Sequence, residues 1–376
     1  MALLSKIISA LMVAIVTVCS ALSIPAPSFG FRIEAEASVF ETGDDMYTVI
    51  WSTSLPGSGY LTYSYGGTDY TVYDQVGGNI LTLDTIHAVR VPKSHLDGNT
   101  YAYHSQHILS KQAYSAMKGK TVDSQAVEFA GYHGEENIGI MTVADIHGNP
   151  DPAAEAIARF ETKPSFLVMD GDITSQMVTK DDFINILKYA HMYSGGNIPV
   201  VYVRGNHEPR GEFAPEMIKY FRTSTGGLYF TFNYGPLWSI VLDGGEDKAD
   251  DHPEYSGLVD FRSYIAEETK WLSGVEAPDS QYKLAFVHKP SLDDLDGEKW
   301  LGMLSDLGID AAISGHLHRL DLHFYEGKTS FYRFVIGQNS ELGSLASMFT
   351  LSGNGIGVKV MNRDGVVAAD ESFPLN

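Results

Sequence analysis

Residues 138–147 read Ile138-Gly139-Ile140-Met141-Thr142-Val143-Ala144-Asp145-Ile146-His147. A short apolar run ended by an acidic residue predicts a buried strand from Ile138 to Ala144, with Asp145 at its mouth. The same plan recurs along the chain. Phe166 to Met169 runs into Asp170-Gly171-Asp172, and Pro199 to Val203 leads to Asn206. Leu284 to Val287 runs into His288, and Ala311 to Ser314 leads to His316. Helices are predicted between them, from Asp151-Pro152 through Phe160, from about Asp181 to Tyr193, and from near Phe261 to about Trp271. Alternation of this kind predicts an α/β unit over residues 137–376, with βαβ-type central sheets flanked by helices and inner strands buried on both faces. Ligands of such sheets gather at the carboxyl ends of the strands, where the polar signatures fall. A β-rich stretch from Leu228 to Leu242 and a strand-rich tail from Leu320 complete the unit.

Upstream the pattern differs. Tyr47-Thr48-Val49-Ile50-Trp51, Tyr60 to Tyr65, His87 to Val91, Tyr101 to His104 and Ala126 to Phe129 read as short strands with no helix between them. Turns are expected at Pro56-Gly57-Ser58-Gly59, Gly66-Gly67, Gly77-Gly78-Asn79 and Asp97-Gly98-Asn99. The expectation is an all-β sandwich over residues 28–133. Tyr63, Tyr65, Tyr101, Tyr103 and Trp51 read as its core and cross-strand pairs.

The first 23 residues read as a secretory signal peptide. Lys6 is the only charge before Arg32, an apolar run spans Ile7 to Leu22, and small residues stand near Ser23. The chain is therefore expected to be secreted or periplasmic, with no stable membrane insertion after cleavage; a retained anchor is the alternative. Cys19 is the only cysteine, so the cleaved protein would have no disulfide and no thiolate-bound metal. The formal net charge of −21 and the lack of a basic run argue against nucleic acid as a partner.

Carboxylate and imidazole side chains at the strand ends suit two divalent or trivalent ions such as Fe, Mn or Zn. Two such ions about 3.5–4 Å apart need a shared oxygen ligand, which one carboxylate can supply. Asp145-Ile-His147, Gly171-Asp172, Gly205-Asn206-His207-Glu208, His288 and Gly315-His316-Leu317-His318 occur in this order. On these motifs, residues 137–376 resemble the calcineurin-like metallophosphoesterase superfamily. The resemblance implies that Asp145, His147 and His318 hold one metal and that Asn206, His288 and His316 hold the other. Asp172 would bridge them. His207 would bind no metal and would stabilise the phosphoryl oxygens or protonate the leaving group, while a hydroxide between the metals attacks phosphorus.

With an N-terminal fibronectin-III-like sandwich, the arrangement is similar to purple acid phosphatases. The motifs depart from that group, which lacks the second His of Asp-x-His and carries Tyr three residues after the bridging Asp. Here His147 is present and Ser175 stands in the Tyr position, so the resemblance is to a related, non-purple centre. Ser175 also stands where Ser/Thr protein phosphatases carry an Asp that pairs with the catalytic His, so His207 needs another partner.

Arg204 and Arg210 flank the Asn206-His207 loop and are candidate phosphate clamps. His252 and Tyr255, in an acidic stretch from Gly244 to Gly257, are further substrate candidates. Asn149 and Glu208 are candidates for orienting the ligands from behind. The expected activity is hydrolysis of small phosphomonoesters. A phosphodiesterase acting on cyclic nucleotides or lipid headgroups, and a non-catalytic binding protein on the same fold, are the alternatives.

Overall fold

The strands Ile138–Val143, Phe166–Asp170 and Pro199–Val203 pair in parallel, so their carboxyl ends emerge on one side. A second parallel set, Leu237–Leu242, Tyr282–Val287, Ala311–Ser314 and Tyr332–Val335, lies in a separate five-stranded sheet. The computed structural model describes residues 30–375 apart from residue 114 and residues 295–298. The signal-peptide expectation lies outside the described residues. Among the described residues no helix is long and apolar enough to cross a membrane.

The two sheets face each other across an apolar layer. Ile140, Phe166 and Val201 from one side meet Phe232, Leu284 and Ile313 from the other. On the far face of the first sheet, Met141, Leu167 and Val200 pack on Phe183, Leu187 and Met217. Those last three belong to the helices Lys180–Ser194 and Ala214–Phe221. On the far face of the second sheet, Ile240, Ala285 and Ala312 pack on Leu272, Trp300 and Leu304. The order of layers is therefore helix, sheet, sheet, helix. Each buried aliphatic or aromatic side chain contributes roughly 1.5–3 kcal/mol, which makes the central strands rigid supports for the loops at their ends.

The N-terminal strands extend the first sheet. Ile33–Glu41, a strand not expected from the sequence, pairs in parallel with Pro199–Val203 through Val39↔Pro199 and Phe40↔Val200. Its other edge pairs antiparallel with Met46–Tyr65. Phe40, Ile50 and Ile86 consequently share the apolar layer beneath the helices Lys180–Ser194 and Ala214–Phe221 with Phe221. A second core of Tyr47, Trp51, Leu61, Tyr101 and Tyr103 fills the N-terminal part itself. Tyr65, expected there, is instead 38% exposed at the strand end and stacks on His95.

The turn expected at Pro56–Gly59 is absent. One strand runs from Met46 to Tyr65 with a shift of register between Ser52 and Gly57. These glycines serve close approach: a Cβ on Gly57 would stand 2.6 Å from the Gln106 carbonyl oxygen, and one on Gly59 would stand 2.7 Å from the His87 ring.

Candidate metal centre

The five polar signatures meet where the carboxyl ends of the two parallel sets converge. Two groups of potential ligands form there, Asp145, His147, Asp172 and His318 on one side and Asp172, His288 and His316 on the other. Within each group the ligand atoms lie within 4.8 Å of one another, and Asp172 belongs to both. His147 Nε2 is 3.1 Å from His318 Nε2, and Asp145 Oδ1 is 3.4 Å from His318 Nε2. Asp172 Oδ2 is 3.1 Å from His288 Nε2 and 3.9 Å from His147 Nε2. The Asn206 side-chain amide joins the second group, 2.8 Å from His316 Nδ1.

The backbone is bent hard to make this convergence. Asp145, His147, Asp172, His316 and His318 all have φ between 48° and 70°. For non-glycine residues the left-handed region costs roughly 1–3 kcal/mol each and recurs at functional sites. Hydrogen bonds between the loops hold it in place. Asp145 N–H donates to the Gly171 carbonyl at 3.1 Å, His147 N–H to the Asp172 carbonyl at 2.8 Å, and Gly315 N–H to the His288 carbonyl at 3.0 Å. Glycine is required beside them: a Cβ on Gly205 would stand 2.2 Å from Asp172 N, and one on Gly171 would stand 2.4 Å from the His288 ring.

Glu208 does its work from behind the loop. Its buried carboxylate accepts the N–H groups of Asp172, Ile173, Thr174 and Gly205 at 2.6–3.1 Å. It makes no bond to His207. His207 Nδ1 instead donates to the Ser175 carbonyl oxygen at 3.0 Å, and its backbone N–H donates to Asp172 Oδ1 at 2.9 Å. His288 Nδ1 donates to the Asp170 carbonyl at 2.6 Å, which turns Nε2 toward the cluster.

Charge in the cluster is unbalanced without a cation. Burial raises Asp145 to about 6. Burial also pushes Asp172 up, but the charge of the adjacent His288 outweighs it and holds Asp172 well below the carboxylate range. Burial alone would lower His288, yet Asp172, Asp145 and Asp170 raise it to about 10. Burial lowers His147 and His316 to about 4, so both imidazoles stay neutral with a lone pair to give. Asp145 Oδ2 is buried without a hydrogen bond, and His288 Nε2, although close to Asp172, makes no well-aligned one. Orphaned carboxylate oxygen and neutral imidazole nitrogen aimed at one point fit a metal ion, and no thiol is needed.

The remaining candidates divide. Arg210 reaches the cluster, with Nη1 3.1 Å from His207 Nε2. The Asn206 amide satisfies Arg210 Nη2 at 2.9 Å and His316 Nδ1 at 2.8 Å when its oxygen faces the guanidinium. Arg204 corrects the sequence reading: it is 5% exposed, paired with Asp243 at 2.8 Å and stacked over Tyr264, so it cannot clamp substrate. The His252 imidazole accepts the Glu254 N–H and packs on Tyr255 within its own loop. Tyr255 donates to Glu246 Oε2 at 2.6 Å and so reaches the site through that residue. Asn149 lies exposed on the turn after His147, and among the described residues nothing ties its side chain to a ligand.

Sequence reasoning missed Asp170, Gln338 and Glu246. Asp170 is buried and raised by burial to about 8; its place beside Gly171-Asp172 was the available signal. Gln338 Nε2 donates to the Asp145 carbonyl at 2.5 Å from a distant strand, a contact no local pattern encodes. Glu246 was hidden in an acidic stretch read as a whole.

Comparison with known proteins agrees with this geometry. Residues 138–320 match the family model for calcineurin-like phosphoesterases. A zebrafish (Danio rerio) serine/threonine-protein phosphatase CPPED1 is 27% identical over 185 residues, covering 44% of this chain and 58% of that protein. The Rattus norvegicus protein of the same name is 26% identical over 189 residues, with 45% and 58% covered. The chain thus spans a little over half the length of these curated relatives. Among solved structures, PhoD superposes with a TM-score of 0.50 at 10% identity, covering 90% of this chain and 92% of its own; this is a likeness of fold. Motif order, strand-end geometry and the matched segment agree: residues 138–320 form a calcineurin-like phosphoesterase domain.

Proposed function

We propose that the chain is a metal-dependent phosphoric ester hydrolase that acts on small phosphomonoesters at this cluster. The observation that carries the reading is one carboxylate, Asp172, common to two converging ligand groups. Asp145, His147, Asp172 and His318 would hold one ion, and Asp172, Asn206, His288 and His316 the other. Bound ions of the Fe, Mn or Zn kind would supply Lewis acidity toward phosphoryl oxygens and acidify a water molecule to near-neutral pKa.

The chain's own residues supply the rest. With its Nδ1–H donating to the Ser175 carbonyl, His207 in its doubly protonated form would carry a second proton at Nε2 and pass it to the leaving alkoxide. Arg210 would bind phosphoryl oxygens through Nη1, the side of its fork that faces His207. The N-terminal strands are read as a fibronectin-III-like part, and export is read from the apolar segment Ile7–Leu22.

The test is elemental analysis of the purified protein beside hydrolysis of p-nitrophenyl phosphate and bis(p-nitrophenyl) phosphate. About two ions per chain with faster turnover of the monoester supports the reading. Faster turnover of the diester would replace it with a phosphodiesterase. Neither metal nor turnover after adding Mn, Fe and Zn would leave a binding protein.

A further inference from the structure

Arg210 is not a free surface arginine. One edge of its guanidinium is gripped by Glu246, with Nε 2.5 Å from Oε1 and Nη2 3.1 Å from Oε2. The other edge points into the cluster, toward His207 Nε2. Glu246 is itself fixed from several directions. Its side chain is buried, while that of Arg210 is 31% exposed. Oε2 also accepts the Tyr255 hydroxyl at 2.6 Å and the Asp247 N–H at 3.1 Å. Its backbone carbonyl accepts Lys289 Nζ at 2.8 Å, and Lys289 directly follows His288. The loop that carries Glu246 is therefore tied to the strand end that carries a metal-ligand candidate.

We propose that Glu246 is a positioning residue: it holds Arg210 edge-on to the metal cluster so that substrate phosphate meets a guanidinium already aimed at it. The inference rests on the phosphoesterase reading above. The physical reason is preorganisation. An arginine side chain loses much rotational freedom when it clamps an anion, and a carboxylate that holds the rear edge removes that loss before binding. The bidentate pair also fixes the plane of the guanidinium, which a lone hydrogen bond would leave free to rotate. Tyr255 belongs to the same device, because its hydroxyl sets the orientation of the Glu246 carboxylate. This gives the acidic loop from Gly244 to Gly257 a role at the site that does not require it to move.

The experiment uses the full chain, loaded with metal, as Glu246→Gln, Tyr255→Phe, Arg210→Ala and the Arg210→Ala/Glu246→Gln double variant. The measurements are KM and kcat for p-nitrophenyl phosphate, competitive inhibition by inorganic phosphate, and metal content. Glu246→Gln is expected to raise KM and the phosphate inhibition constant by about tenfold at unchanged metal content, with a smaller change in kcat. Tyr255→Phe should raise both by roughly two- to fivefold. In the Arg210→Ala background Glu246→Gln should add less than about twofold, because the residue it positions has gone. A KM for Glu246→Gln within about twofold of the parent overturns the proposal, as does an equal loss in both backgrounds. If Glu246→Gln does not fold, Tyr255→Phe decides between the same outcomes. If the parent protein turns over neither ester, the hydrolase reading fails separately, and phosphate binding by calorimetry on the same variants still decides whether Glu246 positions Arg210.

Discussion

Asp172 offers carboxylate oxygen to both ligand groups, so its loss should be felt on both sides at once. Asp172→Asn keeps the shape but removes the charge that balances His288, and it should lose metal by elemental analysis together with turnover. His207 is a contrast. Its ring touches the cluster edge-on against His147 at 4.7 Å between centroids, yet it belongs to neither ligand group. His207→Ala should retain the metal and lose roughly 10²–10⁴ of kcat, the usual worth of a general acid. Loss of metal in His207→Ala would show that the roles are wrongly divided. Gly205 gives a third case at this scale. An added Cβ meets the Asp172 backbone and carboxylate at 2.2 Å, so Gly205→Ala must move the turn that aims the shared ligand. Metal affinity should fall well beyond the Ala effect at an open position, measured by titration of the apo protein. The residues that converge at the site were readable in the sequence because they sit in fixed short motifs after apolar runs. The left-handed backbone at Asp145, His147, Asp172, His316 and His318 was not, since nothing in a residue's identity requires it; the crossing hydrogen bonds between separate loops impose it.

At the scale of elements, legibility followed periodicity. Strands such as Phe166–Asp170 and Tyr282–Val287 are buried along nearly their whole length, and continuous apolar runs announced them. Ile33–Glu41 alternates Glu, Ala and Ser in its first half, a weak pattern, and its strand state comes from the next strand, Met46–Tyr65, and from Pro199–Val203 far along the chain. Arg204 was misjudged for a similar reason: its exposure is decided by Asp243 and Tyr264, which approach from another strand and helix. The stretch Pro56–Gly59 has the composition of a turn but lies inside a strand, because the packing of His87 and Gln106 needs bare backbone there. That crowding makes His87 a probe of the element. It is buried beside Trp51, with Nε2 3.0 Å from Thr53 Oγ1, and burial lowers it to about 4. Unfolded, it would take a proton near pH 6.5, whereas the folded protein keeps it neutral down to about pH 4. Its titration therefore costs nothing above pH 6.5 and destabilises the fold progressively as pH falls from 6.5 toward 4, by up to about 3 kcal/mol. Chemical denaturation across that window should show the fall in the parent and a shallower one in His87→Gln; equal slopes would contradict it.

For the whole molecule, the question is whether the N-terminal strands are a passenger. Two kinds of contact say they are not. The edge of Pro199–Val203, a strand that leads to Asn206, is covered by Ile33–Glu41 rather than by solvent. Polar ties then cross the same boundary: Thr48 Oγ1 donates to the Phe221 carbonyl at 2.8 Å, Lys93 Nζ to the Asn233 carbonyl at 2.7 Å, and Tyr101 to the Gly196 carbonyl at 2.8 Å. Arg222 pairs with the buried Asp74 at 2.5 Å, and Lys180 with Asp84 at 2.6 Å. A chain cut between the two parts would expose a central strand edge and the apolar faces of Phe40, Ile50 and Ile86, both of which favour aggregation. Calorimetry of the full chain should therefore show one cooperative transition for the described parts, with the calorimetric and van't Hoff enthalpies in agreement. Residues 137–376 expressed alone should be insoluble or should melt at least about 10 °C lower, since losing a strand pairing and its core removes several kcal/mol. Two well-separated transitions, or a stable catalytic part on its own, would show that the shared sheet joins the parts without coupling them.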